Sequence, residues 1–265
     1  MSGTQEPQEV KTCCATLYES DMARMLLGDS FHPGGVELTR RLGEKLGLKS
    51  GMRVLDVASG KGESAIFLAQ TFGCAVTGID FGSLNVEESQ ARAEAAGMGT
   101  LVAFETGDAE RIARPDAAFD GIICECAFCT FPDKIAAAAE FARVLKPGGQ
   151  VGLSDLTRAA SLPPELTGLL AWVACIADAR PVDEYAAYLT GAGLQGVEIE
   201  PHDEALSEMV RDIQGKLLGA ELMSKLKKID LAGIDFTEAK AMARAAAEAI
   251  RSKKLGYSII TARKP

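Results

Sequence analysis

The stretch Arg53-Val54-Leu55-Asp56-Val57-Ala58-Ser59-Gly60-Lys61-Gly62 decides how this chain is read. Its first half is a short apolar run, as a buried strand should be, and its second half is a glycine-broken turn opening a helix predicted over Glu63–Thr71. Glycines at such a turn let backbone approach a ligand, and the helix N-terminus beneath favours it. Working outward, a second strand is predicted over Ala75–Ile79, ending at Asp80, 18 residues after Gly62. A third spans Leu101–Glu105 before Gly107-Asp108-Ala109, and a fourth Gly121–Cys124. Helices are predicted between them at about Leu84–Ala96 and Pro132–Leu145, the latter stopped by Lys146-Pro147-Gly148-Gly149, before a fifth strand over Val151–Ser154. Strands alternating with helices at this spacing predict an α/β fold: a Rossmann-like, seven-stranded, mostly parallel sheet with helices on both faces.

Upstream, apolar positions recur at helical spacing from Asp21 to Leu48 with a break at Asp29–Gly35, giving an N-terminal helical cap in residues 1–50; residues 1–10 carry no pattern and are expected to fray. Downstream, helices are expected at about Pro164–Asp178 and Pro181–Ala192, a strand over Gly196–Glu200, a helical insertion at about 204–253 and a closing strand over Gly256–Ala262. Residues 51–265 therefore read as one domain.

The 265 residues carry 28 Lys+Arg against 37 Asp+Glu, net −9, and no basic run exceeds two residues, which argues against nucleic-acid binding. No apolar stretch reaches the roughly 18 residues needed to span a bilayer, and Met1–Lys11 lacks the hydrophobic core of a signal peptide. A cytoplasmic protein with a small-molecule or metalloid substrate, and no membrane or nucleic-acid partner, is expected.

The acids Asp56, Asp80 and Asp108 all fall at the carboxyl ends of consecutive strands, the crevice where open α/β sheets take ligands, and Asp80 is placed to accept both hydroxyls of a ribose. An NAD-type site fits less well, because the turn is not Gly-x-Gly-x-x-Gly. This ordered set, together with Arg143-Val144-Leu145-Lys146-Pro147-Gly148-Gly149, resembles the class I S-adenosylmethionine-dependent methyltransferases over about Gly51–Leu156. The resemblance implies S-adenosyl-L-methionine as cofactor. It places the methionine part at the glycine loop (Asp56, Ala58, Ser59, Gly60, Gly62), the ribose at Asp80 beside Phe81, the adenine at Asp108 and Ala109, and Cys124 nearby. Ala58 departs from the glycine common there.

Seven cysteines are an odd count for a compartment that keeps thiols reduced, so chemistry explains them better than a disulfide framework. Cys74 reads as a small buried hydrophobe. Cys13-Cys14 follow Lys11-Thr12, Cys124, Cys126 and Cys129 cluster at the end of the fourth strand, and Cys175 follows the fifth. Sulfur suits soft centres, and two histidines, His32 and His202, leave a histidine-built catalytic zinc site improbable. The arrangement resembles the arsenite methyltransferases, through Lys11-Thr12-Cys13-Cys14, Ile123-Cys124-Glu125-Cys126 with Pro132-Asp133-Lys134, and Cys175-Ile176-Ala177. That resemblance implies trivalent arsenic held by Cys126, Cys175 and Cys14 or Cys13, with Cys129 an additional ligand candidate. A lone-pair nucleophile of this kind needs positioning more than a general base. Two other readings stay open: C-, O- or N-methylation of a small organic molecule, for which Glu125, Asp155 or His32 are base candidates, and a non-catalytic metalloid or zinc protein. Glu63 is a further candidate contact for the cofactor's amino group, and Trp172 is a candidate wall for the acceptor pocket.

Overall fold

The dividing line between sheet and helix follows the apolar runs closely. The computed structural model describes Lys11 and residues 32–166, 175, 176, 178–225 and 235–265. Strands β1 (Arg53–Val57), β2 (Ala75–Asp80), β3 (Val102–Thr106), β4 (Phe119–Glu125), β5 (Leu145–Arg158), β6 (Gln195–Pro201) and β7 (Leu255–Arg263) form one sheet in the order β3-β2-β1-β4-β5-β7-β6. The first five strands pair in parallel, and β7 runs antiparallel between β5 and β6. The described helices are α1 (Gly35–Lys45), α2 (Glu63–Phe72), α3 (Ser83–Ala95), α4 (Lys134–Val144), α5 (Val182–Gly191), α6 (Asp203–Lys225) and α7 (Phe236–Arg251), with short 3-10 turns at Phe128–Thr130 and Pro164–Leu166. The sheet is thus mostly parallel and seven-stranded, as expected.

Its centre is dry because its strands are apolar on both faces: Val54, Leu55, Val57, Ile122, Ile123, Val151 and Leu153 are fully buried. Close packing shows at Gly152, where a Cβ would stand 2.5 Å from Leu42 Cδ1, so α1 lies directly against β5. The turn after β1 is likewise set by glycine. Gly62 has φ 77°, and a Cβ there would lie 2.5 Å from Phe104 Cζ.

Two expectations shift. The Lys146-Pro147-Gly148-Gly149 segment does end the α4 helix, yet it belongs to β5, which begins at Leu145. Leu145 pairs with Phe119, and Gly148 and Gly149 exchange backbone hydrogen bonds with Lys264, so neighbouring strands hold as sheet what Pro and Gly read locally as a turn. The helix expected at Pro164–Asp178 is described only in part, opening as the Pro164–Leu166 turn; its middle, with Trp172, lies outside the described residues, as do Cys13, Cys14 and most of the predicted cap before α1. The late insertion supplies α6 and α7 between β6 and β7.

Candidate active site

Strand order reverses direction of growth on either side of β1 and β4, and a crevice opens at their carboxyl ends. There a cleft is lined by Ala58, Gly60, Asp80, Asp108 and Cys126, among others, the place where open α/β sheets take small-molecule ligands.

The turn 58–62 is built from backbone. Ala58 adopts φ 57°, Gly60 φ 51° and Gly62 φ 77°, three left-handed residues in five. Ser59 N–H donates to Ile79 O at 3.0 Å, pinning the turn to β2. Asp80 ends β2 and organises what surrounds it: Oδ2 accepts Gly60 N–H at 2.8 Å, while Oδ1 accepts Gly82 N–H at 2.9 Å and the Asn85 amide at 3.2 Å. Lys61, in the same turn, pairs instead with Glu88 on α3, 3.7 Å away. Gly62 is buried against Phe104 and Ser89, so its part in the site is to let α2 approach β3.

Beneath the turn, carboxyl groups are concentrated. Burial raises the Asp56 carboxyl well above the ordinary carboxylate range, and the nearby charges of Glu125 and Asp80 push it further. Among the described residues Asp56 Oδ2, Ser59 Oγ and Glu63 Oε2 are buried without a hydrogen-bond partner. A cationic ligand with donor groups answers both features. A sulfonium bearing an α-ammonium group is such a ligand, and the residues present fit it.

At the opposite end of the cleft, Asp108 accepts Lys11 Nζ at 3.0 and 2.8 Å and Glu110 N–H at 3.0 Å. Burial alone would lower the Lys11 pKa, but hydrogen bonds to Asp108 and Glu110 outweigh it and raise it. Phe81 and Ala109 also line the cleft. Cys124 does not: it is fully buried in the core, its thiol raised well above the ordinary value by burial and then by Asp155, Asp56 and Glu125.

The wall at the end of β4 carries Glu125 and Cys126. Glu125 Oε2 accepts Ser64 Oγ–H at 2.6 Å and Thr39 Oγ1–H at 3.0 Å, Oε1 accepts Ser154 Oγ–H at 3.3 Å, and His32 Nε2 stands 3.6 Å from Oε2. Three elements, α1, α2 and β5, and His32 before α1 thus converge on one carboxylate whose side chain is 4% exposed. On the far side of Cys126, the thiols singled out in the sequence meet. Cys175 donates its thiol to Cys126 O at 3.1 Å, and it lies near enough to the Cys126 and Cys129 thiols to raise both. Cys175, together with burial, raises the Cys126 thiol; burial first, then Cys175, raises Cys129. Cys126 and Cys175 both take left-handed backbone, at φ 52° and 60°, uncommon for residues with a Cβ. Among the described residues, no group of three or more His, Cys, Asp and Glu is placed to hold a metal ion. Asp155 backs the thiols, accepting Cys129 N–H at 2.9 Å and Leu156 N–H at 2.7 Å.

Sequence reasoning left out the rim formed by Ala127, Thr130, Phe131 and Pro132, and gave Lys11 no role in the cleft. Three of the four rim residues are apolar and the Thr130 hydroxyl is spent on Ala127 O, and the partners of Lys11 lie 97 and 99 residues away.

Comparison with known proteins agrees with this geometry. A family described as a methyltransferase domain matches residues 54–149, the span from β1 to the start of β5. The 27-O-demethylrifamycin SV methyltransferase of Amycolatopsis mediterranei (strain S699) is 31% identical over 266 aligned residues, covering 93% of this chain and 94% of that protein. Among solved structures, a protein assigned as a sarcosine dimethylglycine methyltransferase from Galdieria sulphuraria superposes with a TM-score of 0.78 at 19% identity, covering 95% of this chain and 98% of that one. The Haemonchus contortus phosphoethanolamine N-methyltransferase 2, in complex with phosphomonomethylethanolamine and S-adenosylhomocysteine, also reaches 0.78 at 18% identity; the match covers 97% of this chain and 60% of that one.

Proposed function

Because the chain belongs to the S-adenosylmethionine-dependent methyltransferases of small molecules, we propose that its acceptor is a hydroxyl group of a small organic molecule, with Glu125 and His32 taking up the proton. The observation that carries this reading is the Glu125 carboxylate on the cleft wall, held by three hydroxyls and facing His32 at 3.6 Å. The relative that matches 93% of the chain is itself named for an O-demethylated organic compound.

S-adenosylmethionine supplies an activated methyl group on a positive sulfur. This chain's residues do the rest. Asp56 and Glu125 supply carboxyl groups beneath the turn where that cation would lie, with Asp80 toward the ribose and Asp108 toward the adenine amine. The transfer is an in-line displacement, so positioning supplies much of the rate. An alcohol oxygen attacks well only as its proton departs. Glu125 receives that proton, and His32, with Thr39 Oγ1 3.5 Å from its Nε2, shares the charge. Burial of the pair keeps water from competing.

A second reading, trivalent arsenic held by thiolates, is favoured by one observation, the gathering of Cys126, Cys129 and Cys175 around the Cys175 sulfur. Binding there would release the thiol protons. One experiment separates the two: methyl transfer from labelled S-adenosylmethionine to a panel of hydroxylated organic compounds and to arsenite with thiol present. The organic reading expects product from the panel that falls at least a hundredfold in Glu125→Gln and survives Cys126→Ser/Cys175→Ser. Methylated arsenic lost in the cysteine double variant and retained in Glu125→Gln overturns it in favour of the second.

A further inference from the structure

The hydrogen bonds that hold Glu125 continue behind it to the last strand of the chain. Tyr257, on β7, is fully buried, and its one hydroxyl proton lies between Ser154 O at 3.0 Å and Ser154 Oγ at 3.1 Å. Each of these atoms leads to the cleft wall. Ser154 O also accepts Cys126 N–H at 2.7 Å, which fixes the main chain just after Glu125, where Cys126 is left-handed. Ser154 Oγ gives its own proton to Glu125 Oε1 at 3.3 Å. The Tyr257 main chain is itself fastened: its N–H donates to Asp203 Oδ1 at 3.0 Å, and its carbonyl accepts His202 N–H at 2.7 Å. One line of donors therefore runs across the sheet from β7 through β5 to β4, from Tyr257 to Ser154 to Glu125.

We propose that Tyr257 is a positioning residue, acting through Ser154 to leave Glu125 Oε1 as the oxygen that takes the acceptor's proton. Counting lone pairs shows why it is Oε1. A carboxylate oxygen offers about two acceptor positions. Oε2 spends both, on Ser64 Oγ–H at 2.6 Å and Thr39 Oγ1–H at 3.0 Å, whereas among the described residues Oε1 accepts Ser154 Oγ–H alone. The open position is on Oε1. Ser154 also has a single proton to give, and a lone pair that accepts from Tyr257 commits that proton to Glu125. Without the phenol, the hydroxyl can rotate away from a bond that is already long, and Ser154 O holds Cys126 unaided. Burial first, then Cys126 and Glu125 nearby, push the Tyr257 phenol above its ordinary value, so it keeps the proton it donates. A base aimed in advance in this way leaves less of the barrier to orientation at the moment of transfer.

The inference rests on the reading of Glu125 as the group that takes the proton, and its test separates the two. Methyl transfer from labelled S-adenosylmethionine to the panel of hydroxylated organic compounds is measured on the full chain, for the native protein, Glu125→Gln, Tyr257→Phe, Ser154→Ala and Tyr257→Phe/Glu125→Gln. Tyr257→Phe is expected to lower kcat about tenfold and Ser154→Ala about as much, with acceptor KM and S-adenosylhomocysteine affinity each within about threefold of native. In the Glu125→Gln background, Tyr257→Phe changes kcat by less than about twofold, because the line of donors no longer ends on a base. A merely structural role would lower kcat by the same factor in both backgrounds. A second readout needs no acceptor: carbon-13 NMR of protein labelled at the glutamate carboxyl carbon, in which the resonance missing from Glu125→Gln is that of Glu125. That resonance is expected to move in both Tyr257→Phe and Ser154→Ala. Native kcat in Tyr257→Phe, an equal fall in the two backgrounds, or an unmoved Glu125 resonance overturns the proposal. Native activity in Glu125→Gln overturns the reading of Glu125 as the base, and this inference with it.

Discussion

Asp155 makes the stability of this protein depend on pH in a direction opposite to that of most acidic residues. It is fully buried behind the cysteine cluster, and burial pushes its carboxyl up to about 7; the neighbouring Cys175 adds to the rise, and the hydrogen bonds from Cys129 and Leu156 oppose it. In the unfolded chain the group titrates at its ordinary value of 3.8. Between the two values the native state holds a proton that the unfolded state has released, so stability is greatest below the unfolded value and falls as pH rises through 7. A rise of about three units corresponds to about 4 kcal/mol across that window. Asp56, also raised, acts in the same sense. Glu200, lowered to about 2 by Arg41 with help from His202 and Lys45, acts in the other, losing stability as pH falls below the ordinary glutamate range. The expected profile has a maximum near pH 5. Urea unfolding at pH 4.5 to 8.5 of native protein and Asp155→Asn tests the assignment. The neutral amide cannot accept both N–H groups equally well, so the variant is less stable at pH 5, and the gap closes or reverses by pH 8 as the native protein loses its advantage. Parallel pH profiles for the two proteins would refute the reasoning.

Three further outcomes are expected. Gly62→Ala forces a Cβ within 2.5 Å of Phe104 at φ 77° and should destabilise the fold by about 2–4 kcal/mol, measured as a loss in urea midpoint. Ala58→Gly removes a left-handed alanine at φ 57° and should leave stability unchanged or raise it by about 1 kcal/mol, with S-adenosylhomocysteine affinity no weaker by calorimetry. Asp80→Asn replaces a carboxylate that accepts two N–H groups and an amide; S-adenosylhomocysteine should bind about 10- to 100-fold more weakly, while Cys126→Ser, at the other end of the cleft, should change that affinity by less than about threefold.

The strand ends were legible from residues 53–62 because the signal there is local: an apolar run, then glycines, then a helix start. β1 falls at Arg53–Val57 as read, and Asp80 and Asp108 follow from the same periodicity. What local patterns could not show depends on distant partners. Leu145–Gly149 reads as a stop, and becomes strand because Phe119 and Lys264 supply its hydrogen bonds. Cys124 sits among chemically suggestive neighbours but points into the core; alternation along β4 would have put it on a different face from Glu125, the wall residue. The cysteine pattern offered Cys126, Cys129 and Cys175 as ligand candidates, and the pattern alone does not say what they hold. It did not reveal Thr39, Ser64 and Ser154, three ordinary hydroxyls on three elements that together hold Glu125.

The position of β7 bears on how this chain is made as well as on how it works. β7 hydrogen-bonds to β5 and β6 on either side, pairing Gln150 with Arg263 and Gln195 with that same residue. During synthesis at about 5–20 residues per second, the β1–β4 half can pair as it emerges, but β6 has no neighbour to dock on until residues 255–263 arrive. For several seconds β5 presents an unpaired apolar edge, with Val151 and Leu153 in it. Pairings of such long sequence separation are slow to form and prone to wrong partners in the interval. The nucleoside half of the cleft would therefore be shaped first, and the acceptor half would be completed last.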